Sequence, residues 1–454
     1  MKFNKIIPIV CLAATLSGCG VYTRYHRQYK VDAALYGEEY CVTDTASIAT
    51  LSWKELFQDK QLQTLIDSAL VRNTDLRTAQ LRTEAAKAVL QNARLVYLPS
   101  LDLTPQGTFT HWDNAKSKSY NLGASATWEI DVFGKATNAK RGAKEALEAS
   151  YSYEQAVQTQ LVATVASSYY TLLMLDEQLR ISKETLINWQ QTVRSLEALK
   201  LAGQVNDAGV LQARANCLSL ETSILEMEKT LKACENTLCS TLAQPHRNIK
   251  RGTLSGQSFP DTLSIGLPVN LLSHRPDVQM AEARLAQAFY ATNAARAAFY
   301  PSVTLSGLAG WTNAGSGIVL NPGSWLLNAI GSLTQPLFNQ GRNIANLKVA
   351  KVEQEVAQLA FQQSLLNAGE EVNNALAAWQ TAQKQLVADN KQAELLKEAV
   401  RKTELLMHHS SVNYLEVLTV RQALLAAEQI QAEHQLNKIQ GVIQLYRALG
   451  GGIL

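Results

Sequence analysis

Among the residues able to act as nucleophiles, acids or ligands, Cys19 has the most informative neighbours. It follows Leu16-Ser17-Gly18, whose small residues let an enzyme approach the backbone and leave the thiol as an acyl-accepting nucleophile. The other candidates are poorer. His408-His409 could bind a metal or sense pH, but no third ligand accompanies the pair, and an exposed dipeptide of this kind is solvated. Arg275-Pro276-Asp277 has the look of a reactive motif, yet proline and aspartate are what the first turn of a helix favours. Cys234 and Cys239 stand five apart on a helical stretch, which is poor disulfide geometry and lacks paired zinc spacing; with Cys217 they read as small packing residues. No glycine-rich phosphate loop, nucleophile elbow or metal-spaced cluster occurs, so no enzyme, no cofactor and no metal are expected.

The start of the chain gives Cys19 its meaning. Met1-Lys2-Phe3-Asn4-Lys5 is cationic, and the apolar run Ile6 to Leu16 is too short to span a bilayer, which is the layout of a secretory signal. Leu16-Ser17-Gly18-Cys19 resembles the bacterial lipobox, whose cysteine is acylated and becomes the first residue of the mature chain. Several acyl chains anchor firmly, at about 0.8 kcal/mol per buried methylene. Gly20 stands where an aspartate would retain such a lipoprotein at the inner membrane, so the outer membrane is expected. Removing residues 1–18 takes away Lys2 and Lys5, and the formal charge falls from +3 to +1. Such a balance points to no nucleic acid and no strongly anionic partner. No other stretch has the roughly 20 continuous apolar residues of a membrane helix.

Behind these residues stands a duplicated frame. At an offset of 202, Asp75, Arg82, Arg94, Pro99 and Ser100 meet Asp277, Arg284, Arg296, Pro301 and Ser302. Further on the offset is 207, where Val205, Asn206, Arg214 and Glu221 meet Val412, Asn413, Arg421 and Glu428, so the second copy holds five extra residues in between. A repeated unit that cannot close on itself is completed by neighbours. Proline, the strongest helix breaker, is absent between Pro105 and Pro245 and after Pro336. Those windows predict helices over about 135–201 and 342–407, each about 100 Å long at 1.5 Å per residue. Partner helices are expected over about 61–97, 208–242, 276–300 and 414–449. The chain divides into a signal peptide at 1–18, an anchor segment at 19–57, and repeats at 58–255 and 256–454.

Between the helices the period changes to two. Leu122, Ala124, Ala126, Trp128 and Ile130 alternate with polar or small residues, as do Val303, Leu305, Gly307, Ala309 and Trp311, whereas Trp325 to Leu333 is less regular. Strands are expected over about 100–112, 120–132, 302–312 and 324–335. Segments of this length with one apolar and one polar face suit tilted membrane-spanning strands. Four strands cannot close a barrel, and an open edge in lipid would leave backbone groups unsatisfied. The chain must therefore share its barrel with copies of itself: two would give eight strands and a filled lumen, three would give twelve and a channel.

The assembled motifs resemble those of the TolC-like outer-membrane efflux channels, specifically the lipoprotein subgroup of NodT type that serves resistance-nodulation-division (RND) pumps. The resemblance covers nearly the whole mature chain. Its residues are Trp53-Lys54-Glu55-Leu56-Phe57, then Trp128-Glu129-Ile130-Asp131-Val132-Phe133-Gly134-Lys135, Gly266 through Val278, and Pro336-Leu337-Phe338-Asn339-Gln340-Gly341-Arg342. The fold implied is mainly α with membrane β: a homotrimer in which four strands per chain complete a twelve-stranded barrel above a long α-helical tunnel. The implied partners are outer-membrane lipid, a periplasmic adaptor (membrane fusion protein) and an inner-membrane pump of RND type, with passive exit through a duct those partners open.

The resemblance also places a gate at the helix turns near 202–207 and 408–414. Leu415, Glu416 and Thr419 follow the second turn at i, i+1 and i+4, where a ring of three could block or charge a narrow pore; Asp207 occupies the first turn. The competing reading is that Leu415, Val417 and Leu418 pack helix on helix. Family members often carry aspartate and a basic residue where Thr419 and Gln422 stand, so Glu416 is the remaining acidic candidate. Drug or solute efflux is expected; the alternatives are a duct for type I protein secretion or metal-ion export, and a lipid-anchored periplasmic coiled-coil scaffold.

Overall fold

The computed structural model of the chain describes residues 21–27, 51–113, 115–203, 205–257, 259, 275–313, 324–408 and 414–451. The signal segment 1–18, Cys19, Cys41, the connection 266–274 and turn residues 409–413 lie outside the described residues.

Three helix pairs of equal length carry the duplication. α3 (Thr74–Leu95) and α6 (Pro276–Ala297) have 22 residues each. α4 (Lys135–Leu201) and α7 (Arg342–His408) have 67 each, and α5 (Asp207–Thr241) and α8 (Tyr414–Ala448) have 35 each. Before them come α1 (Trp53–Leu56) and α2 (Lys60–Arg72). The single helix expected over 61–97 is thus two. Asn73 breaks it: its backbone turns to ψ 131°, and its Oδ1 accepts from Asp75 N at 2.9 Å and Leu76 N at 3.0 Å. Its Nδ2 donates to Thr241 O at 2.9 Å, so the break is fixed by a distant segment.

The strands are β1 (Ser100–Trp112), β2 (Ala115–Ile130), β3 (Ser302–Thr312) and β4 (Ser324–Thr334), in one antiparallel sheet of order β1-β2-β3-β4. β2 starts at 115 rather than 120 because the turn at Asp113, φ 28°, is tight and the hairpin pairs down to Trp112 opposite Ala115. Ser100 pairs with Thr127 in the first hairpin and Ser302 with Thr334 in the second. β1 therefore maps onto β3 at the offset of 202, and β2 onto β4 at 207, which places the five extra residues in the connection between β3 and β4.

The chain folds as two compact units. The first holds residues 81–153 and 279–364, with the whole sheet, together with the N-terminal strap 21–27. Its register places apolar residues opposite apolar ones: Leu103, Ala124, Ala309 and Leu327 in one row, Pro105, Leu122, Trp311 and Trp325 in the next. Directly opposed residues share a face, so one face of the sheet is apolar from β1 to β4. β4 joins it through Trp325, Leu327, Ala329 and Leu333, while Leu326 and Ile330 lie on the other face and blur the alternation in sequence. Gly123 faces Gly310, where an added Cβ would lie 2.2 Å from Leu122 O, so no larger residue fits. Among the described residues no helix is long and apolar enough to cross a membrane.

The described residues of the second unit are 51–80, 154–203, 205–257, 259, 275–278, 365–408 and 414–451. An aromatic centre joins α1 to its neighbours: the Phe57 ring lies 6.4 Å from Tyr170 and 6.1 Å from Tyr446, all three buried. Beside it Arg251 is held between Asp176 and Glu235. Arg275 is buried and donates to Ala448 O at 2.7 Å and to the carboxylates of Asp277 and Glu371 at 2.7 and 2.8 Å. It therefore caps the C-terminus of α8, where a cation complements the helix dipole, and Arg275-Pro276-Asp277 is a structural joint.

Candidate functional site

The residues singled out in the sequence fall in two places: the helix turns of the second unit and the N-terminal strap of the first. In the first repeat α4 ends in a turn with Gly203 at φ 72°. Asn206 then caps α5 by accepting from Gly209 N at 3.0 Å. Asp207, the first residue of α5, forms an exposed ion pair with Lys200 across the turn. Behind it Leu196, Val210 and Ala213 form a small core, and Arg214 donates to Glu197 Oε1 at 2.5 Å.

The second repeat preserves the deeper contact and changes the outer one. Arg421 donates to Glu404 Oε1 at 2.5 Å, the same pair moved on by 207 positions. Met407 and Tyr414 stand where Lys200 and Asp207 stand in the first copy, so that pair of charges is gone. Val417 and Leu418 are buried, whereas Leu415, Glu416 and Thr419 are exposed in the single chain. Within the single chain Val417 and Leu418 are thus packed, and Leu415 is 58% exposed. The Thr419 hydroxyl donates back to Leu415 O at 2.9 Å, which joins those two residues. No ion pair engages Glu416 among the described residues. Asp207 belongs to the other turn and meets none of the three by a described hydrogen bond.

Sequence reasoning overlooked one tie. Arg421 Nη1 donates to Thr192 Oγ1 at 2.6 Å, linking α8 of the second repeat to α4 of the first. The recurrence of Glu197 and Arg214 as Glu404 and Arg421 signals the ion pair, but nothing in the sequence points to Thr192. A second divergence lies deeper: Ser182 Oγ meets Met227 Sδ at 3.7 Å, and at the equivalent positions Asp389 meets His434 at 2.6 Å.

The strap docks at the strand-to-helix junction. Asp131 accepts from Ala136 N at 2.9 Å and Thr137 N at 2.7 Å, starting α4 as an N-terminal carboxylate should. Gly134, φ 76°, makes the bend. Asn138 Nδ2 donates to Val21 O at 2.7 Å, and the Tyr22 hydroxyl donates to Val132 O at 2.6 Å. Burial, and next the Asp131 carboxylate, push the Tyr22 phenol up, keeping it a donor. Tyr25 N donates to Tyr290 Oη at 3.2 Å and Arg27 pairs with Glu282. Cys19 itself lies outside the described residues.

Comparison with known proteins gives a consistent answer. The family model for outer membrane efflux proteins matches residues 65–244 and 267–451. The cation efflux system protein CusC of Escherichia coli O6:H1 is 31% identical over 454 residues, covering 99% of this chain and 98% of its own length. The solvent efflux pump outer membrane protein SrpC of Pseudomonas putida is 29% identical over 473 residues, covering 100% and 99%. The open state of the Neisseria gonorrhoeae MtrE outer membrane channel superposes with a TM-score of 0.86 at 30% identity, covering 94% of this chain and 97% of that one. With both halves of its duplication matched and a fold shared along nearly its full length, the chain belongs to the outer membrane efflux protein family and is an efflux channel of the outer membrane.

Proposed function

We propose that three copies of this chain form a passive exit duct for drugs or other small solutes, driven by an inner-membrane pump of RND type through a periplasmic adaptor. The observation that carries this reading is the sheet: one apolar face, and β1 and β4 as its two edges among the described residues. An edge exposed to lipid leaves peptide groups unpaired at several kcal/mol each, so copies must pair edge to edge. Three copies supply twelve strands and a lumen wide enough to conduct, where two would supply eight and a filled one. On this reading, energy and substrate choice belong to the partners.

Two parts of the reading concern named residues. Cys19 is the lipid attachment site; two residues of chain reach at most about 7 Å, and Val21 is held at the strand-to-helix junction. Leu415, Glu416, Thr419 and Asp207 line the constriction at the helix turns, Glu416 supplying its charge. A strain lacking the chain tests the whole. Sensitivity to several unrelated amphiphiles and accumulation of dye, both reversed by the wild-type gene, are the expected results. Sensitivity confined to metal salts would instead support cation export, the activity named for the E. coli relative; an unchanged panel with a missing secreted protein would support secretion.

A further inference from the structure

We infer that β4 of one copy pairs with β1 of the next in one defined antiparallel register, with Gly331 opposite the partner subunit's Gly107, Ser332 opposite the partner subunit's Gln106 and Leu333 opposite the partner subunit's Pro105. The inference rests on the shared-barrel reading above and adds the contact that closes it.

The chain already contains the template for that seam. β2 and β3 join the two repeats, with Gly123 opposite Gly310, Ala124 opposite Ala309 and Ala126 opposite Gly307. Because β2 maps onto β4 at the offset of 207 and β3 onto β1 at 202, the junction between repeats can be carried over residue by residue. Ala124 becomes Gly331 and Ala309 becomes Gly107; Ser125 and Leu308 become Ser332 and Gln106; Ala126 and Gly307 become Leu333 and Pro105.

Two properties not used in the mapping agree with the result. The first is the face each residue occupies. The register sets Ala329 against Phe109 and Leu333 against Pro105 on the apolar side, and Ser332 against Gln106 and Thr334 against Thr104 on the polar side. A slip of one residue would set Leu333 against Gln106 or Thr104 and mix the faces.

The second is the direction of the peptide groups. Asn313 N donates to Tyr120 O, the residue directly opposite, so even-numbered residues of β2 bond towards β3 and odd-numbered ones towards β1. Through the hairpin registers, odd-numbered residues of β1 and of β4 turn their peptide groups outwards. The inferred register brings odd against odd, as an antiparallel ladder requires. Pro105 is one of the outward residues. Lacking an N–H it is tolerated at an edge, and it leaves this seam one donor short of the β2–β3 seam, a mark of an edge guarded against wrong partners.

Gln106 and Ser332 would then form a non-hydrogen-bonded pair with Cα atoms about 4.5 Å apart, within disulfide range. The test is a chain carrying Gln106→Cys and Ser332→Cys, with Thr104→Cys and Thr334→Cys as a second pair in the same register. Oxidation in membranes should give covalent multimers on a denaturing, non-reducing gel. Gln106→Cys combined with Thr334→Cys or Ile330→Cys, each slipped by two residues, should cross-link about tenfold more slowly, the factor set by about 1.4 kcal/mol of disulfide strain. Native mass spectrometry of the same samples counts the copies. A slipped pair that reacts fastest, or no cross-link at either in-register pair in intact trimers, overturns the register. A monomer that forms no cross-link overturns the shared barrel with it. A dimer cross-linked fastest through residues 106 and 332 keeps the register and overturns the threefold count.

Discussion

Arg421 and Thr192 stand 229 positions apart in sequence and share a 2.6 Å hydrogen bond, which makes the arginine a clasp between the two helical hairpins of one chain. The same guanidinium holds Glu404 on its own hairpin. Thr192→Val removes the clasp, keeps the shape of the side chain and leaves the Glu404 pair intact. A hydrogen bond to a charged group contributes about 1.5 kcal/mol at the lower end of its range, as suits a partly exposed arginine. The hairpin ends should separate more easily, and single-channel conductance in a planar bilayer should rise. Conductance equal to wild type would show that the clasp does not restrain the opening.

Glu416 and Asp207 make a contrasting pair. Asp207 is already paired with Lys200, and exposed pairs of this kind are worth about 0–1 kcal/mol. Glu416→Gln should shift the reversal potential in a salt gradient towards lower cation preference, because a ring of three charges is lost from the proposed constriction. Asp207→Asn should leave it close to wild type. The opposite ranking would move the charged ring to the first turn.

Leu211, Leu218 and Leu225 form an exposed stripe along α5, spaced by seven, at 56%, 63% and 65% exposure. Their counterparts on α8 are covered inside the chain: Leu418 and Ala432 are buried, and Leu425 packs on the cluster of Trp189, Cys217, Leu220 and Ile224. A face that one repeat buries and the other leaves open is available to another copy. Leu218→Glu should therefore lower the proportion of trimer in native mass spectrometry while helical circular dichroism stays unchanged. Loss of helical signal alongside the trimer would assign Leu218 to the fold of the single chain.

Glu398, on the exposed side of α7, accepts from Arg401 at 2.7 and 2.9 Å, with Lys402 3.4 Å away, and these bonds hold its carboxyl at about 2 against an ordinary 4.5. A carboxyl depressed by folding stabilises above its ordinary value, and the contribution disappears as pH falls from 4.5 to about 2. The Glu398 side chain is 44% exposed, so salt screens the effect and it stays local. Amide exchange around Glu398 should quicken through that acid window at low salt, beyond the intrinsic trend. Glu398→Gln should remove the additional dependence; a persistent one would assign it elsewhere.

The long elements were legible because proline is excluded from them and because the pattern occurs twice: α4 runs Lys135–Leu201 and α7 Arg342–His408. The break at Asn73 was hidden, since asparagine alone does not end a helix and Thr241, which fixes it, is 168 residues away. β4 read poorly because Leu326 and Ile330 place apolar side chains on the polar face. At the helix turns, the resemblance to the efflux channels pointed to Leu415, Glu416 and Thr419, while nothing pointed to Arg421 with Thr192. That contact depends on how two hairpins lie together, and no local pattern encodes it.

Paired helices of identical length, 22, 67 and 35 residues, carry a historical reading as well as a mechanical one. An ancestor encoding one repeat would have built its ring from six identical members, every boundary between them the same. Fusion of two members in one gene let alternate boundaries evolve apart. Thr192 now answers Arg421 within the chain, whereas Ala399 stands at the position equivalent to Thr192 and has no hydroxyl to offer Arg214 across the boundary between chains. Six alike boundaries carry one set of contacts; after fusion, the contact of Arg421 with Thr192 inside each chain is free to differ from whatever joins one chain to the next.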